Sequence, residues 1–349
     1  MYECAMRVGT EMVNLAGLKQ QLKCYLATLN ALRLVNADYA WIVKPVLKLE
    51  EPQSTLPPGV SPKHTHDGEL LPVTSKVKSR LEVLEVKDIE REFQLVAARL
   101  KLANCSTAKR KREQAGMVTG PGLSANDAIT LLVSSNLFTE AVKVAKVFSL
   151  ECRPIVEGLA SRCIYLSRSK SNERDAAWDW LSENNFGESG AVTSVEASWG
   201  LLKKLVEELE KDGQTTLKKA VSIRLLSLGA SLPAWIVGAF KKTNAAELLH
   251  LYLVHGYVLL ASVLAVEYIE AALGNGKEYF GFNHALHTTA PSIWLPFNLF
   301  DQLLLELKEH SEDVLYQKHY MKLNNSLDHY MKEVKRVSED MITMGRISS

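Results

Sequence analysis

Apolar residues recur at intervals of three and four along most of the chain, the spacing that places them on one face of an α-helix. One such stripe begins at Leu15 and a second at Val86. Capping-box patterns, in which a serine or threonine precedes an acidic residue by three positions, indicate further helix starts at Ser124 and Thr193. No convincing series of alternating strands with hairpin turns accompanies them, so the pattern predicts an all-α fold.

The most regular apolar pattern lies near the end of the chain, where the spacing alternates between four and three through four heptads. It predicts a helix of about 29 residues with one apolar seam, and such a seam requires a partner surface. That surface is either the preceding helices, with the seam as the last layer of the stack, or a second protein chain. The candidate seam comprises Tyr316, Tyr320, Leu323, Leu327, Tyr330, Val334 and Val337, followed by Met341 and Met344.

A weak internal repeat relates residues 125–141 to residues 245–261. Each segment reads as a helix, a tight turn and a second helix, with Asn136 and Gly256 at the same turn position, where a positive φ is tolerated. Such hairpins cannot bury their apolar faces alone. The predicted architecture is therefore an α-helical solenoid of stacked hairpins with irregular insertions. The tetratricopeptide pattern of tryptophan, glycine, tyrosine and proline is missing, so the repeat family stays open.

Two segments interrupt the helical pattern. Residues 44–80 hold six of the eleven prolines, which predicts a disordered or functional insertion, and residues 105–122 form a basic linker. The predicted division is residues 1–43 as N-terminal helices, 44–80 as the insertion, 81–104 as a helix, 105–122 as the linker, 123–298 as stacked hairpins ending in an irregular apolar segment, and 299–349 as terminal helices.

One stretch invites a test for membrane insertion, because residues 248–266 carry no formal charge and approach the length of a spanning helix. His255 and Gly256 interrupt it, and no basic or aromatic belt flanks it. We therefore expect two short buried helices that turn at these residues. The N-terminus also lacks the apolar core of a secretory signal.

The charge balance and the cysteine content of the chain argue against some classes of partner and site. The 41 basic and 40 acidic side chains nearly cancel, so no global field draws the chain to nucleic acid or anionic lipid. The five cysteines are odd in number and form no CxxC pair, which favours a reducing compartment over a disulfide framework or a zinc site. They are expected to act as small core residues.

No nucleotide-binding, metalloprotease or hydrolase motif is found, so no enzyme activity, small-molecule substrate, cofactor or metal is predicted. "HTHD" (64–67) reads as a solvated loop rather than a metal site. His284 and His287 do not predict a metal site either. "GNGKEYFG" (274–281) reads as a helix C-cap and turn. The basic run Lys109, Arg110, Lys111 and Arg112 is either a solvated linker or a localisation or nucleic-acid signal.

The segment "HTTAPSIWLPFNLFDQLL" (287–304) is strongly apolar, but its two prolines prevent it from continuing the helical stack. We expect its large rings, at Trp294, Phe297 and Phe300, to form a wedge between helical layers. If Trp294 is buried there, its replacement by alanine would cost about 3 to 5 kcal/mol.

Four stretches together resemble a known family: "NADYAWIVKPV" (36–46), "KKTNAAELLHLYL" (241–253), "LGNGKEYFGF" (273–282) and "TAPSIWLPFNLFDQLL" (289–304). They are similar to the C-terminal region of the hundred-and-sixty-kilodalton nucleoporin, a scaffold subunit of the Y-shaped nuclear pore subcomplex. Family members carry an N-terminal β-propeller, so Met1 is expected to open a fragment, a short isoform or a single domain.

The resemblance implies a structural role at the nuclear pore complex, in the nuclear envelope. In the family, this helical region is a hub arm that meets the C-terminal parts of two other scaffold nucleoporins of the subcomplex. The resemblance also implies indirect support of nucleocytoplasmic transport, whereas the charge balance and the interrupted apolar stretch predict no direct contact with nucleic acid and no membrane span. The alternative from the residues alone is an α-helical repeat adaptor that binds peptides or partner helices.

Overall fold

The structure is a computed structural model that describes residues 1–11, 14–49, 77–105, 122–185, 190–211, 213–276, 280–282, 284–287, 293–310 and 312–347. The helices of the described residues are α1 (Tyr2–Glu11), α2 (Leu15–Arg33), α3 (Val86–Asn104), α4 (Ala125–Ser134), α5 (Phe138–Phe148), α6 (Arg153–Arg168), α7 (Ser171–Asp175), α8 (Ala177–Glu183), α9 (Ser194–Leu209), α10 (Thr216–Ser227), α11 (Ala234–Thr243), α12 (Ala245–Val254), α13 (Val258–Ala272), α14 (Phe297–Glu309) and α15 (Val314–Ile347). Between α2 and α3 lie a short 3₁₀ helix, Ala37–Tyr39, and two strands, β1 (Trp41–Leu49) and β2 (Val77–Glu85). Helices thus dominate, and the predicted all-α class is confirmed.

The chain divides into two compact units, one comprising Met1–Ser135 with Glu140–Leu150 and the other Asn136–Thr139 with Glu151–Ser349. In the first unit, α2 packs on α1 and α3. In the second, α6 packs on α9 and α10, while α13 packs on α12, α14 and α15. Within each unit a helix thus contacts helices that lie near it in sequence, as the stacked layers of an α-solenoid do.

Two tyrosines and one glutamate tie together α1, α2 and α3 in the first unit. The Tyr25 hydroxyl donates to Glu92 Oε2 at 2.5 Å, and the Tyr2 hydroxyl donates to Glu92 Oε1 at 3.1 Å. Burial and the neighbouring carboxylate both raise the pKa of each tyrosine, so the hydroxyls remain protonated donors. The Glu92 carboxylate on α3 therefore holds both α1 and α2 through charge-assisted hydrogen bonds.

The predicted insertion at residues 44–80 differs from the structure at its ends, because β1 and β2 pair as an antiparallel ribbon with Trp41 opposite Glu85. Leu84 is buried in the first core and Ile42 packs against it, so one face of the ribbon points inward. Pro45 lies within β1, which is tolerated because each strand of a two-stranded sheet has one open edge. Residues 50–76 lie outside the described residues.

The helix predicted at residues 81–104 begins later than expected, at Val86, because residues 81–85 belong to β2. Glu85 is the N-cap of α3. Its side chain accepts from the backbone of the third helical residue, and its own backbone N–H donates to Asp88 Oδ2 at 3.0 Å. This reciprocal capping box satisfies two donors that a helix start leaves open, and so fixes the strand-to-helix boundary.

The predicted helix starts at Ser124 and Thr193 are confirmed. Ser124 Oγ accepts from the backbone N–H of Asp127 at 3.1 Å at the start of α4. Thr193 Oγ1 accepts from the backbone N–H of Glu196 at 3.2 Å at the start of α9. Each hydroxyl satisfies one of the free donors of the first turn.

The internal repeat is confirmed at the level of local structure. The helices α4 and α12 have ten residues each, and both are capped by the side chain before them. The following turns contain Asn136, with φ +60°, and Gly256, with φ +74°. The stretch 248–266 therefore breaks into two helices, as predicted. Within the residues that the structure describes, no helix combines the length and apolarity that a membrane crossing requires.

Asn184 is a buried polar anchor of the second unit that sequence reasoning missed. Its Nδ2 donates to the carbonyl oxygens of Trp180 and Asn136, both at 2.7 Å. Its Oδ1 accepts from the backbone N–H of Thr139 at 2.9 Å, in the first turn of α5. One amide therefore joins the end of α8 to the turn before α5, which no local pattern around an asparagine reveals.

We predict that Tyr25→Phe destabilises the chain by about 1.5 to 3 kcal/mol, because it removes a buried hydrogen bond to a charged carboxylate. Urea unfolding followed by far-ultraviolet circular dichroism measures the loss. Tyr39→Phe is the matched control, since the Tyr39 ring is exposed. Equal stability of the two variants would contradict the role given to Glu92.

Candidate protein interaction surface

The terminal helix α15 packs on α13 and α14 through one face. Leu323, Tyr330 and Val337, which are seven residues apart, are buried on this face. The remaining members of the predicted seam are half-buried: Tyr316, Tyr320, Leu327 and Val334. Met341 is exposed, and the side chain of Met344 lies outside the described residues. The structure therefore supports packing of the three buried residues within the chain. It does not place them on an open face that a partner would cover.

Residues 293–296, the described part of the irregular segment before α14, are held in place by α15. The Tyr330 hydroxyl donates to the carbonyl oxygen of Ile293 at 2.7 Å. The Tyr330 ring also lies 6.1 Å from the Phe297 ring, between centroids. Leu295 is buried, and Phe300 is fully buried in the first turn of α14. This short stretch is therefore fixed at both ends by packing inside the second unit.

The prediction that Trp294 is a buried wedge is wrong, because its side chain is 72% exposed. Adjacent side chains of a non-helical segment point in different directions, so burial of Leu295 turns Trp294 outward. Phe297, at the start of α14, is 41% exposed, and only Phe300 of the three predicted rings lies fully inside. We call Trp294 and Phe297 the Trp294 patch. Trp294→Ala is accordingly expected to change stability by less than about 0.5 kcal/mol.

A polar contact also joins α13 to α15. Ser262 Oγ lies 2.6 Å from His319 Nδ1 and 2.8 Å from the carbonyl oxygen of Leu259. Burial lowers the pKa of His319, and the positive charges of Lys322 and Lys318 lower it further. The neutral form of the His319 imidazole is therefore favoured at the contact between α13 and α15.

Few of the residues considered for chemistry lie in the part of the chain that the structure describes. In the described ranges, no group of three or more histidine, cysteine or acidic residues is arranged to hold a metal ion. "HTHD" and the basic run at 109–112 lie outside the described residues. His284 Nδ1 lies 3.1 Å from the carbonyl oxygen of its neighbour Ala285. The predicted C-cap is confirmed, since Gly274 follows α13 with φ +82° and Asn275 N–H donates to the carbonyl oxygen of Glu270.

Comparison with protein families identifies this helical architecture. A family model described as Nup160 C-terminal TPR matches residues 85–347. The chain belongs to the Nup160 family. A second model, described as NUP160/120 middle TPR, matches residues 1–34. The repeat type that the sequence left open is therefore of the tetratricopeptide kind, although the usual pattern of that repeat is missing.

Curated relatives agree with the family models. The human nuclear pore complex protein Nup160 is 37% identical over 347 residues, which cover 98% of this chain and 23% of the human protein. The fruit fly Nup160 homolog is 34% identical over 346 residues, and Arabidopsis NUP160 is 23% identical over 361. The chain thus spans less than a quarter of the length of these Nup160 relatives. Since the relatives are nuclear pore complex proteins, the predicted family and location are confirmed.

We predict that Leu323→Ala, on the buried face of α15, lowers the free energy of unfolding by about 2 to 5 kcal/mol, through lost burial and the cavity that remains. Met331→Ala is the control on the same helix, because this side chain is exposed, and a change below about 0.5 kcal/mol is expected. Thermal and urea unfolding measure both. A small effect at Leu323 would mean that α15 does not pack as described.

We predict that the free energy of unfolding depends on pH because of His319. Because its pKa is lowered in the folded chain, its stabilising contribution is complete above the unfolded pKa, about 6.5, and is lost as pH falls below that value. Urea unfolding between pH 7.5 and 5.5 should show this loss, and His319→Gln should reduce it. Asn325→Gln, at an exposed and non-titrating position of α15, should keep the pH dependence of the unmodified chain. An unaltered pH slope in His319→Gln would exclude the assignment.

Proposed function

We propose that the chain is a structural scaffold element of the nuclear pore complex, and that its terminal helical layers dock onto other scaffold nucleoporins. The expected partners are the helical C-terminal regions of two subunits at the hub of the Y-shaped subcomplex. In this role the chain would support messenger RNA export and protein import indirectly. No catalytic step and no cofactor is part of the proposal.

The exposure of Trp294 is the observation that supports this proposal most directly. Large aromatic side chains at the centre of an interface often dominate its binding energy, and tryptophan is the most enriched among them. Here the exposed ring is attached to a fixed backbone, because Ile293, Leu295 and Phe300 on either side are anchored. A pre-positioned ring loses little conformational entropy when a partner covers it.

The buried face of α15 gives the patch its rigid support. Leu323 and Tyr330 hold α15 against α13 and α14, so they support docking without forming the docking surface. Charged substitutions at these two positions would unfold the terminal layers, because an unpaired charge would be buried. Trp294 is therefore the cleaner position at which to test binding.

The test is binding of the chain to the C-terminal regions of the two hub nucleoporins, measured by co-purification and by calorimetric titration. We expect Trp294→Asp to weaken binding by at least about 30-fold, the equivalent of a 2 kcal/mol hot spot. The thermal midpoint should not change. Val192→Asp, at a position that is 88% exposed before α9, should bind as the unmodified chain does.

Three outcomes separate the alternatives. Binding that both variants retain would place the interface outside the Trp294 patch. Failure of the unmodified chain to bind either nucleoporin would contradict the proposed docking role. Capture of short helical peptides in place of the nucleoporin regions would instead favour the repeat-adaptor alternative.

A further inference from the structure

Two thiols lie side by side between α1 and α2 in the first unit. Cys4 Sγ and Cys24 Sγ are 3.7 Å apart. Both are free thiols, and Cys24 is buried while Cys4 is half-buried. Cys163 differs from the pair, because it is fully buried and its thiol contacts the carbonyl oxygen of Ser198. An accessible thiol beside a second thiol that can resolve a mixed disulfide is a geometry in which a disulfide can form.

The geometry allows the two sulfurs to bond with little movement. A disulfide requires a sulfur–sulfur distance of about 2.05 Å, so the thiols must approach by about 1.7 Å. The two residues lie on helices that already pack on each other, near Tyr25, whose hydroxyl is 3.3 Å from Met6 Sδ. A modest side-chain rotation is a smaller change than moving either helix.

We propose that Cys4 and Cys24 form a reversible intramolecular disulfide, with the disulfide of a small thiol such as glutathione as the oxidant. In the first step, the Cys4 thiolate attacks one glutathione sulfur. A mixed disulfide forms on Cys4, and one glutathione thiolate leaves. In the second step, Cys24 loses its proton to water and its sulfur attacks Cys4 Sγ, which expels the second glutathione thiolate. The two protein thiols are oxidised by two electrons, and the oxidant is reduced to two thiols.

The environment of the two thiols sets the order of these steps. Cys4 is the thiol that a small oxidant reaches from solvent, whereas Cys24 is protected. Burial raises the pKa of Cys24, and its contact with Cys4 adds to the effect. The second step therefore requires the Cys24 thiolate, which forms in only a small fraction of molecules near pH 7. This step should become faster as pH rises from 7 to 9.

The disulfide would have a structural consequence. It would link the first helix to the second beside the hydrogen bond of Tyr25 to Glu92, in the core that joins α1, α2 and α3. A closed loop between Cys4 and Cys24 would also reduce the conformational freedom of the unfolded chain. Oxidation should therefore raise the thermal midpoint of the first unit, and reduction should reverse the rise.

The experiment incubates the purified 349-residue chain with defined mixtures of reduced and oxidised glutathione, followed by acid quench, alkylation and mass spectrometry. We expect the intact mass to fall by two hydrogens, peptide mapping to join Cys4 to Cys24, and the thermal midpoint to rise. Dithiothreitol should reverse all three changes. The matched variant Cys152→Ser should behave like the unmodified chain, whereas Cys4→Ser and Cys24→Ser should each fail to lose two hydrogens.

The unmodified chain alone suffices to overturn the inference, so the result does not depend on how the serine variants fold. Persistence of two free thiols at Cys4 and Cys24 under oxidised glutathione would overturn it. So would a stable glutathione adduct on Cys4 without closure, or a disulfide that maps to another pair. These outcomes are independent of any binding to nucleoporins, since the incubation contains no nucleoporin partner.

Discussion

The packing of α15 against α13 and α14 determines what the second unit presents to a partner. Leu323, Tyr330 and Val337 fill the inner face of α15, and so fix its rotation about its own axis. With that rotation fixed, the Tyr330 hydroxyl reaches the carbonyl oxygen of Ile293 and holds the irregular segment against α15. The exposed position of Trp294 follows from this contact together with the burial of Leu295.

Features set by neighbouring residues were predictable from the sequence. The caps at Ser124 and Thr193 and the turn at Gly256 depend on hydrogen bonds and φ angles within a few residues, and the structure contains each of them. The helical repeat was also visible, since apolar spacing and turn position recur together. The buried residues of α15 follow the predicted heptad spacing, although that spacing alone did not distinguish an internal surface from a partner.

Features set by distant residues were not predictable in the same way. The pairing of β1 with β2 joins segments separated by residues 50–76, and the prolines of residues 44–80, Pro45 among them, predicted an insertion. The direction of Trp294 depends on Tyr330, which is 36 residues later in the chain. Glu92 bonds to two tyrosines from two other helices. In each case the contact that determines the structure is tertiary. Neither the apolar pattern of the sequence nor its local propensities reveal such a contact.

Amide hydrogen exchange of the chain, free and with the two hub nucleoporin regions, tests the central claim most directly. We expect the inner face of α15, from Leu323 to Val337, to be already protected in the free chain. Addition of the partners should then increase protection mainly around Ile293 to Phe297. Rapid exchange along α15 in the free chain, with protection appearing there only when partners bind, would contradict an internally packed helix that supports an exposed Trp294.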